Sequence, residues 1–202
     1  MTLWRGRDLL TLASQSRARK MLLENAGIAF EAAPAEIDER AIQQGSGLKE
    51  PGAIAALLAR EKALWVSSRR LGHYVVGADQ TLALGQELFT KPSDKEQAFE
   101  QLKRLAGRSH ELHSAVAVAY DGKLVFEHVA IAELSMRTLG EAEIAAYLDQ
   151  AGETVTSSVG AYQLEGLGVH LFKRINGDHF TILGLPLLPL LGFLRSQSLL
   201  AI

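Results

Sequence analysis

Two groups of side chains stand where they can do chemistry. The first is in Leu12-Ala13-Ser14-Gln15-Ser16-Arg17-Ala18-Arg19-Lys20, where an apolar strand gives way to hydroxyls and then to cations. Helix N-termini present unpaired N–H groups that attract phosphate. Basic residues in a first turn run against the usual preference for acids there, and an anionic ligand would resolve the conflict. An ordinary capped helix with solvated charges has the same spacing. The second group is Val75-Val76-Gly77-Ala78-Asp79-Gln80-Thr81, in which a carboxylate follows an apolar strand, expected over Tyr74–Ala78. An Asp in such a place can bind a hard cation or orient a water. It can equally form a turn.

Three further segments carry weaker signals. Lys91-Pro92 and Glu61-Lys62-Ala63 hold lysines able to neutralise phosphate as point charges, although a lone lysine is ordinarily solvated. Gly160-Ala161-Tyr162-Gln163-Leu164-Glu165-Gly166-Leu167-Gly168 lets backbone approach a ligand closely, as a plain flexible loop also does. Glu36, Asp38, Glu39 and Arg40 form an acidic turn that offers a hard cation its oxygens. No Walker loop, GxGxxG, HExxH or GxSxG pattern occurs. With no cysteine, disulfides, thiolate metal sites and a cysteine nucleophile are excluded.

These residues must be held by regular elements. A strand over Leu9–Ala13 leads into a helix capped by Ser16 and ending near Gly27. Ile28 to Pro34 is extended, and residues 35–50 read as a polar loop or a weak helix start. Pro51 opens a helix with Ile54, Leu57, Leu58, Lys62 and Trp65 at helical spacing, ending near Gly72. After the strand at Tyr74, Thr81 to Phe89 forms a hairpin around Gly85. Capping boxes at Ser93–Glu96 and Thr138–Glu141 open two helices. Between them, strands over His110–Tyr120 and Lys123–Arg137 meet at Asp121-Gly122, a hairpin turn signal. Strands are expected over Val169–Ile175 and Phe180–Leu183, and a final helix from Pro186. Helical crossovers mixed with hairpins imply an α/β fold with a mixed central sheet and flanking helices. No repeat or long linker divides the 202 residues, so a single domain over 1–202 is expected.

Charge and hydropathy narrow the partners. With 21 basic and 23 acidic residues the net charge is −2, a poor footing for stable nucleic-acid binding. No apolar run reaches the roughly 18 residues of a membrane span. The opening residues lack the apolar core and cleavage site of a signal peptide, which points to the cytoplasm.

In order along the chain, LASQSRARKMLL, APAEIDER, LAREKA, VVGADQTL, KPSDKEQAFEQLKRLAG, VGAYQLEGLG and INGDHFTILGLPL resemble the Maf family of nucleotide pyrophosphatases. The likeness runs from about Leu9 to Leu194. It implies an α/β fold of two lobes around a cleft, as in the related ITPase-like enzymes, and often a homodimer. It also implies hydrolysis between the α- and β-phosphates of a nucleoside triphosphate, with Mg²⁺ or Mn²⁺ as divalent cation. On that resemblance Asp79 is the proton acceptor, Ser14 and Arg19 are the motif serine and arginine, and Glu39 is the acidic-loop glutamate. Lys62 and Lys91 are the two motif lysines. Asp79 and Glu39 are the expected metal ligands, and Lys62 and Lys91 complete the catalytic set.

The chain departs from the common S-x-S-P-R-R form: Arg17 stands at the proline and Ala18 at the first arginine. Asp79-Gln80 and Leu164-Glu165-Gly166 replace the Asp-Thr and Ile-Gln-Gly of members that act on dTTP and UTP. Ala18, Gln80 and Glu165 thus resemble the subgroup acting on 7-methyl-GTP. A small residue at Ala18 leaves room for a purine, and Glu165 can accept hydrogen bonds from a guanine edge. A dTTP/UTP enzyme and a non-catalytic nucleotide-binding regulator of septum formation remain the alternative readings.

Overall fold

The computed structural model describes residues 3–202. As expected, the fold is α/β with a mixed sheet. Seven strands are ordered β2-β1-β3-β5-β6-β7, with β4 paired to β3 off that path. They are β1 (Leu10–Leu12), β2 (Phe30–Ala32), β3 (Tyr74–Leu84), β4 (Glu87–Phe89), β5 (Ser109–Tyr120), β6 (Lys123–Met136) and β7 (Phe172–Asn176). β1 runs parallel to both β2 and β3, whereas β3–β4 and β6–β7 are antiparallel. The helices are α1 (Arg17–Asn25), α2 (Glu39–Ser46), α3 (Pro51–Ser67), α4 (Lys95–Leu105), α5 (Glu141–Ala151), α6 (His179–Ile182) and α7 (Leu187–Ser196).

Two compact units emerge. One takes in Met1–Gln80, Ser114–Ala130 and His179–Ile202, the other Thr81–His113 and Ile131–Asp178. In the first, Leu10 and Leu12 of β1, Val76 and Ala78 of β3 and Val116 and Val118 of β5 bury one sheet face with α1 and α7. The other face is nearly all alanine. Ala55, Ala59 and Ala63 recur every fourth residue along α3 and pack on Ala115, Ala117 and Ala119 of β5. That stripe is one side of a helix meeting alternate residues of a strand.

Small residues let α3 lie unusually close to β3. A Cβ at Gly77 would collide with the Ala59 carbonyl and lie 2.7 Å from the Ala63 nitrogen. The strand is therefore glycine where the helix crosses it. The β5–β6 turn is held from the same side: Asp121 and Gly122 adopt φ 49° and 71°. Asp121 accepts from the Gly72 N–H at 2.7 Å, and the Gly122 N–H donates to Ser67 Oγ at 3.0 Å.

Residues 35–50, read as a loop or a weak helix start, contain α2, because Asp38 caps it by accepting from the Ala41 N–H at 3.0 Å. Three sequence expectations change. Phe180–Leu183 lies largely in the helical turn α6 and forms no strand; so short a run, three apolar residues and a threonine, does not by itself distinguish the two. The strand expected over Val169–Ile175 is preceded by a 3₁₀ segment over Leu167–Leu171 and becomes Phe172–Asn176. The caps of α4 and α5 are Asp94 and Gly140, each C-terminal to the residue expected. Among the described residues, no helix is long and apolar enough to cross a membrane.

Because the α3–β3 contact has no spare volume, Gly77→Ala should destabilise the protein by at least about 1–3 kcal/mol, the range for overpacking a core. A lowered denaturant midpoint at unchanged slope would report it, and an unchanged midpoint would show that the helix can retreat at no cost.

Candidate active site

Asp79 lies inside β3, which continues to Leu84, and not at a strand end as expected. It shares the face of Gly77, two residues earlier, and so points toward α3. There Lys62, one residue before the last alanine of the stripe, puts Nζ 2.6 Å from Asp79 Oδ1. The same ammonium is 2.9 Å from Glu39 Oε1. Lys62 and Asp79 are each only 8% exposed, whereas the Glu39 side chain is half exposed. Glu39 is available because it opens α2, where a negative charge also suits the helix N-terminus.

The start of α1 supplies a second cation. Ser14 Oγ accepts from the Ser16 N–H at 3.2 Å, and Ser16 Oγ accepts from the Arg19 N–H at 3.4 Å. The hydroxyls thus build the helix start expected for Ser16. Arg19 then turns inward: Nε donates to Gly184 O at 2.8 Å, and Nη1 donates to Ala78 O at 2.7 Å and to Ser14 Oγ at 3.4 Å. Nη2 has no partner among the described residues. Burial pulls the Arg19 pKa down, and the Asp79 and Glu39 charges oppose that. Burial pushes the Asp79 carboxyl above the ordinary carboxylate range, against the pull of Lys62 and Arg19. Two carboxylates and two cations thereby share one partly enclosed place, with Asp79 the better base for its burial.

Five of the expected residues, Ser14, Arg19, Glu39, Lys62 and Asp79, come together in the first unit. Ala18 is partly buried against that unit's apolar core. Gln80 does not share the Asp79 face. Its Nε2 donates to Ser114 Oγ at 2.8 Å and to the carbonyls of Thr181 and Ile182, each at 3.1 Å. Since carbonyls cannot donate, the amide orientation is settled, and Oε1 is the end left without a partner among the described residues. Lys91 and Glu165 belong to the second unit, and both are exposed. No group of three or more His, Cys, Asp or Glu side chains is spaced to hold a metal among the described residues.

Sequence reasoning missed three residues. Ser114 sits in an apolar strand with no motif around it, and Gly184 follows a run read as a strand. In the second unit His110, 1% exposed, places Nε2 2.7 Å from the Tyr162 hydroxyl. Burial brings His110 down to about 4 and pushes Tyr162 up, so both are neutral. That pair sits at the start of the Glu165 loop, next to Ala161 at φ 61°.

A family profile described as Maf-like protein matches residues 9–197. The chain belongs to the Maf family. It is 65% identical over 202 residues, the whole of both chains, to a Bradyrhizobium diazoefficiens protein named nucleoside triphosphate pyrophosphatase. A Rhodopseudomonas palustris relative of the same name is 65% identical over 201 residues, again spanning both chains. A Rhizobium etli relative named 7-methyl-GTP pyrophosphatase is 53% identical over 189 residues, 92% of this chain and 94% of that one.

The buried ion pair makes this Maf site sensitive to loss of its cation. Lys62→Met would leave Asp79 buried beside Glu39 with Arg19 alone for compensation, and should cost about 3–5 kcal/mol. The sign with pH follows from the carboxyl. A carboxyl whose folded pKa exceeds its unfolded one loses stability as pH rises from the unfolded to the folded value. The variant should therefore be further below wild type at pH 8 than at pH 5 in urea titrations. An equal deficit at both would show that Asp79 is not the group left exposed to the loss.

Proposed function

We infer that the chain is a nucleoside triphosphate pyrophosphatase, releasing a nucleoside monophosphate and pyrophosphate. The observation that carries this reading is the buried Lys62–Asp79 pair with Glu39 and Arg19 around it, in a Maf family chain whose 65%-identical relatives bear that name.

In the proposed reaction, a water oxygen bonds to the α-phosphorus as the bond from that phosphorus to the α–β bridging oxygen breaks. The water's proton passes to Asp79, and the pyrophosphate takes the bonding pair. A carboxyl raised by burial accepts a proton more readily than a solvated one. Arg19 Nη2, its other donors already committed, faces phosphate oxygen with no reorganisation, and Lys62 adds a charge where the leaving group gains one. Ser14 Oγ can still donate its own proton to a phosphate oxygen.

The donor set suits a divalent cation of the magnesium type. Such ions commonly take one or two carboxylates and complete their shell with water and phosphate oxygens. Asp79 and Glu39 would hold it, and support for this comes from their closeness to the one Lys62 ammonium, at 2.6 and 2.9 Å. When bound, the ion supplies positive charge to the phosphate oxygens.

The substrate in this reading is 7-methyl-GTP. Support comes from the Rhizobium etli relative, from Ala18 in place of an arginine, and from two acceptors. Glu165 is a carboxylate, and Gln80 has only its Oε1 to offer. Acceptors suit the N–H groups of a guanine edge.

Pyrophosphate release from a nucleotide panel with Mg²⁺ or Mn²⁺ tests the reaction. Asp79→Asn should lower turnover by roughly 10²–10⁴-fold, as loss of a general base does, in protein shown to be folded by its circular dichroism. Wild-type kcat/KM should rise with pH through the elevated Asp79 value, and full activity in Asp79→Asn would remove the carboxyl from the mechanism. For the substrate, kcat/KM for 7-methyl-GTP should exceed that for UTP and dTTP by at least about tenfold, within reach of pocket contacts. Comparable values would end the 7-methyl-GTP assignment.

A further inference from the structure

α6 is a single turn of four residues, too short to hold its own conformation. The N–H groups just beyond it donate to its carbonyls, Leu183 to His179 O, Leu185 to Phe180 O and Gly184 to Thr181 O. Side chains from three other elements of the same unit also bond carbonyls of this segment. Ser114 of β5, fully buried, donates from Oγ to Thr181 O at 2.7 Å and accepts from Gln80 Nε2 at 2.8 Å. Gln80 of β3 donates to Thr181 O and Ile182 O. Arg19 of α1 donates to Gly184 O.

Gly184 sits at φ 85°, where a side chain is strained. A Cβ there would be 3.3 Å from Arg19 Nη2 and 3.6 Å from Gln80 Cδ. The guanidinium and the Gln80 amide thus meet over a bare backbone. The Gly184 carbonyl, together with Ala78 O, decides which edge of Arg19 is used up and leaves Nη2 over.

We propose that Ser114 is a positioning residue that, with Gln80, clamps the carbonyl end of α6 so that Gly184 O aims the Arg19 guanidinium. Gln80 then has a role beyond base selection: its amide nitrogen works on the sheet face opposite Asp79 and acts through backbone. The link to activity rests on the reading of Arg19 as a phosphate ligand; the clamp itself does not.

Hydrogen exchange of the Arg19 side-chain Nε–H, followed by NMR and assigned by its loss in Arg19→Lys, tests the clamp directly. Ser114→Ala should speed that exchange at least about tenfold, as expected when a hydrogen bond is lost, and leave the Arg60 guanidinium, paired with Glu127, unchanged. Ser114→Thr, which keeps the hydroxyl, should restore protection. Gln80→Met removes the amide donors while preserving bulk and should mimic Ser114→Ala, so the test stands if one variant fails to fold. Unchanged Arg19 exchange in a folded Ser114→Ala or Gln80→Met protein overturns the proposal.

Activity gives a second readout. Ser114→Ala should lower kcat/KM by roughly ten- to a hundredfold, the scale of a misplaced binding group, and by nothing further in an Arg19→Ala background. An equal drop in both backgrounds also overturns it. A wild-type protein that exchanges as expected but releases no pyrophosphate would refute the enzymatic reading and uphold the clamp.

Discussion

The first unit is organised around one costly interaction, the ion pair between Lys62 and Asp79. Removing two charges from water costs several kcal/mol each, and mutual attraction restores that only with close geometry. Close geometry needs α3 almost touching β3. The alanine stripe on the helix, the alanines of β5 and the bare backbone of Gly77 supply it. These residues have no chemistry of their own, yet each methyl group added among them would lengthen the 2.6 Å contact on which the site is built.

The pair also explains the acids and bases around it. Lys62 cannot balance both Asp79 and Glu39, so Arg19 is drawn in from α1. Counting formal charges, two carboxylates and two cations cancel. A neutral cluster does not by itself attract a triphosphate. In the proposed reaction the phosphate charge must be met by positive charge beyond these two, which is the role given to a divalent ion. The cluster's own contribution is orientation: carboxylates and N–H donors fixed before the substrate arrives reorganise little when charge moves.

Much of this was legible in the sequence, for physical reasons that can be named. The strand–hydroxyl–cation order at Ser14–Lys20, the apolar run before Asp79 and the helical spacing after Pro51 are local signals, and all three elements form. Glu39 was legible as an acid, but whether it opened a helix or lay in a loop was left open, because Asp38 as cap sits in a polar stretch that reads both ways. The α6 turn was misread because the run Phe180–Leu183 is short and Thr181, Ile182 and Leu183 are buried by tertiary contacts, and burial erases the polar alternation that separates strand from helix. Ser114 had no local signal at all. Its importance lies in carbonyls 67 residues away along the chain.

Asp79 and Gln80 illustrate where motif reading meets its limit. As neighbours in sequence they look like one functional unit. A strand puts neighbours on opposite faces, so Asp79 meets Lys62 under α3 while Gln80 meets Ser114 and α6 on the other side. They communicate through Arg19, which bonds the carbonyl of Ala78 immediately before Asp79 and that of Gly184 beside Gln80. A change at Gln80 therefore reaches the Asp79 cluster through a guanidinium and not through the adjacent peptide bond. Substitutions that separate members of this family at that position can alter how phosphate is held as well as which base is preferred.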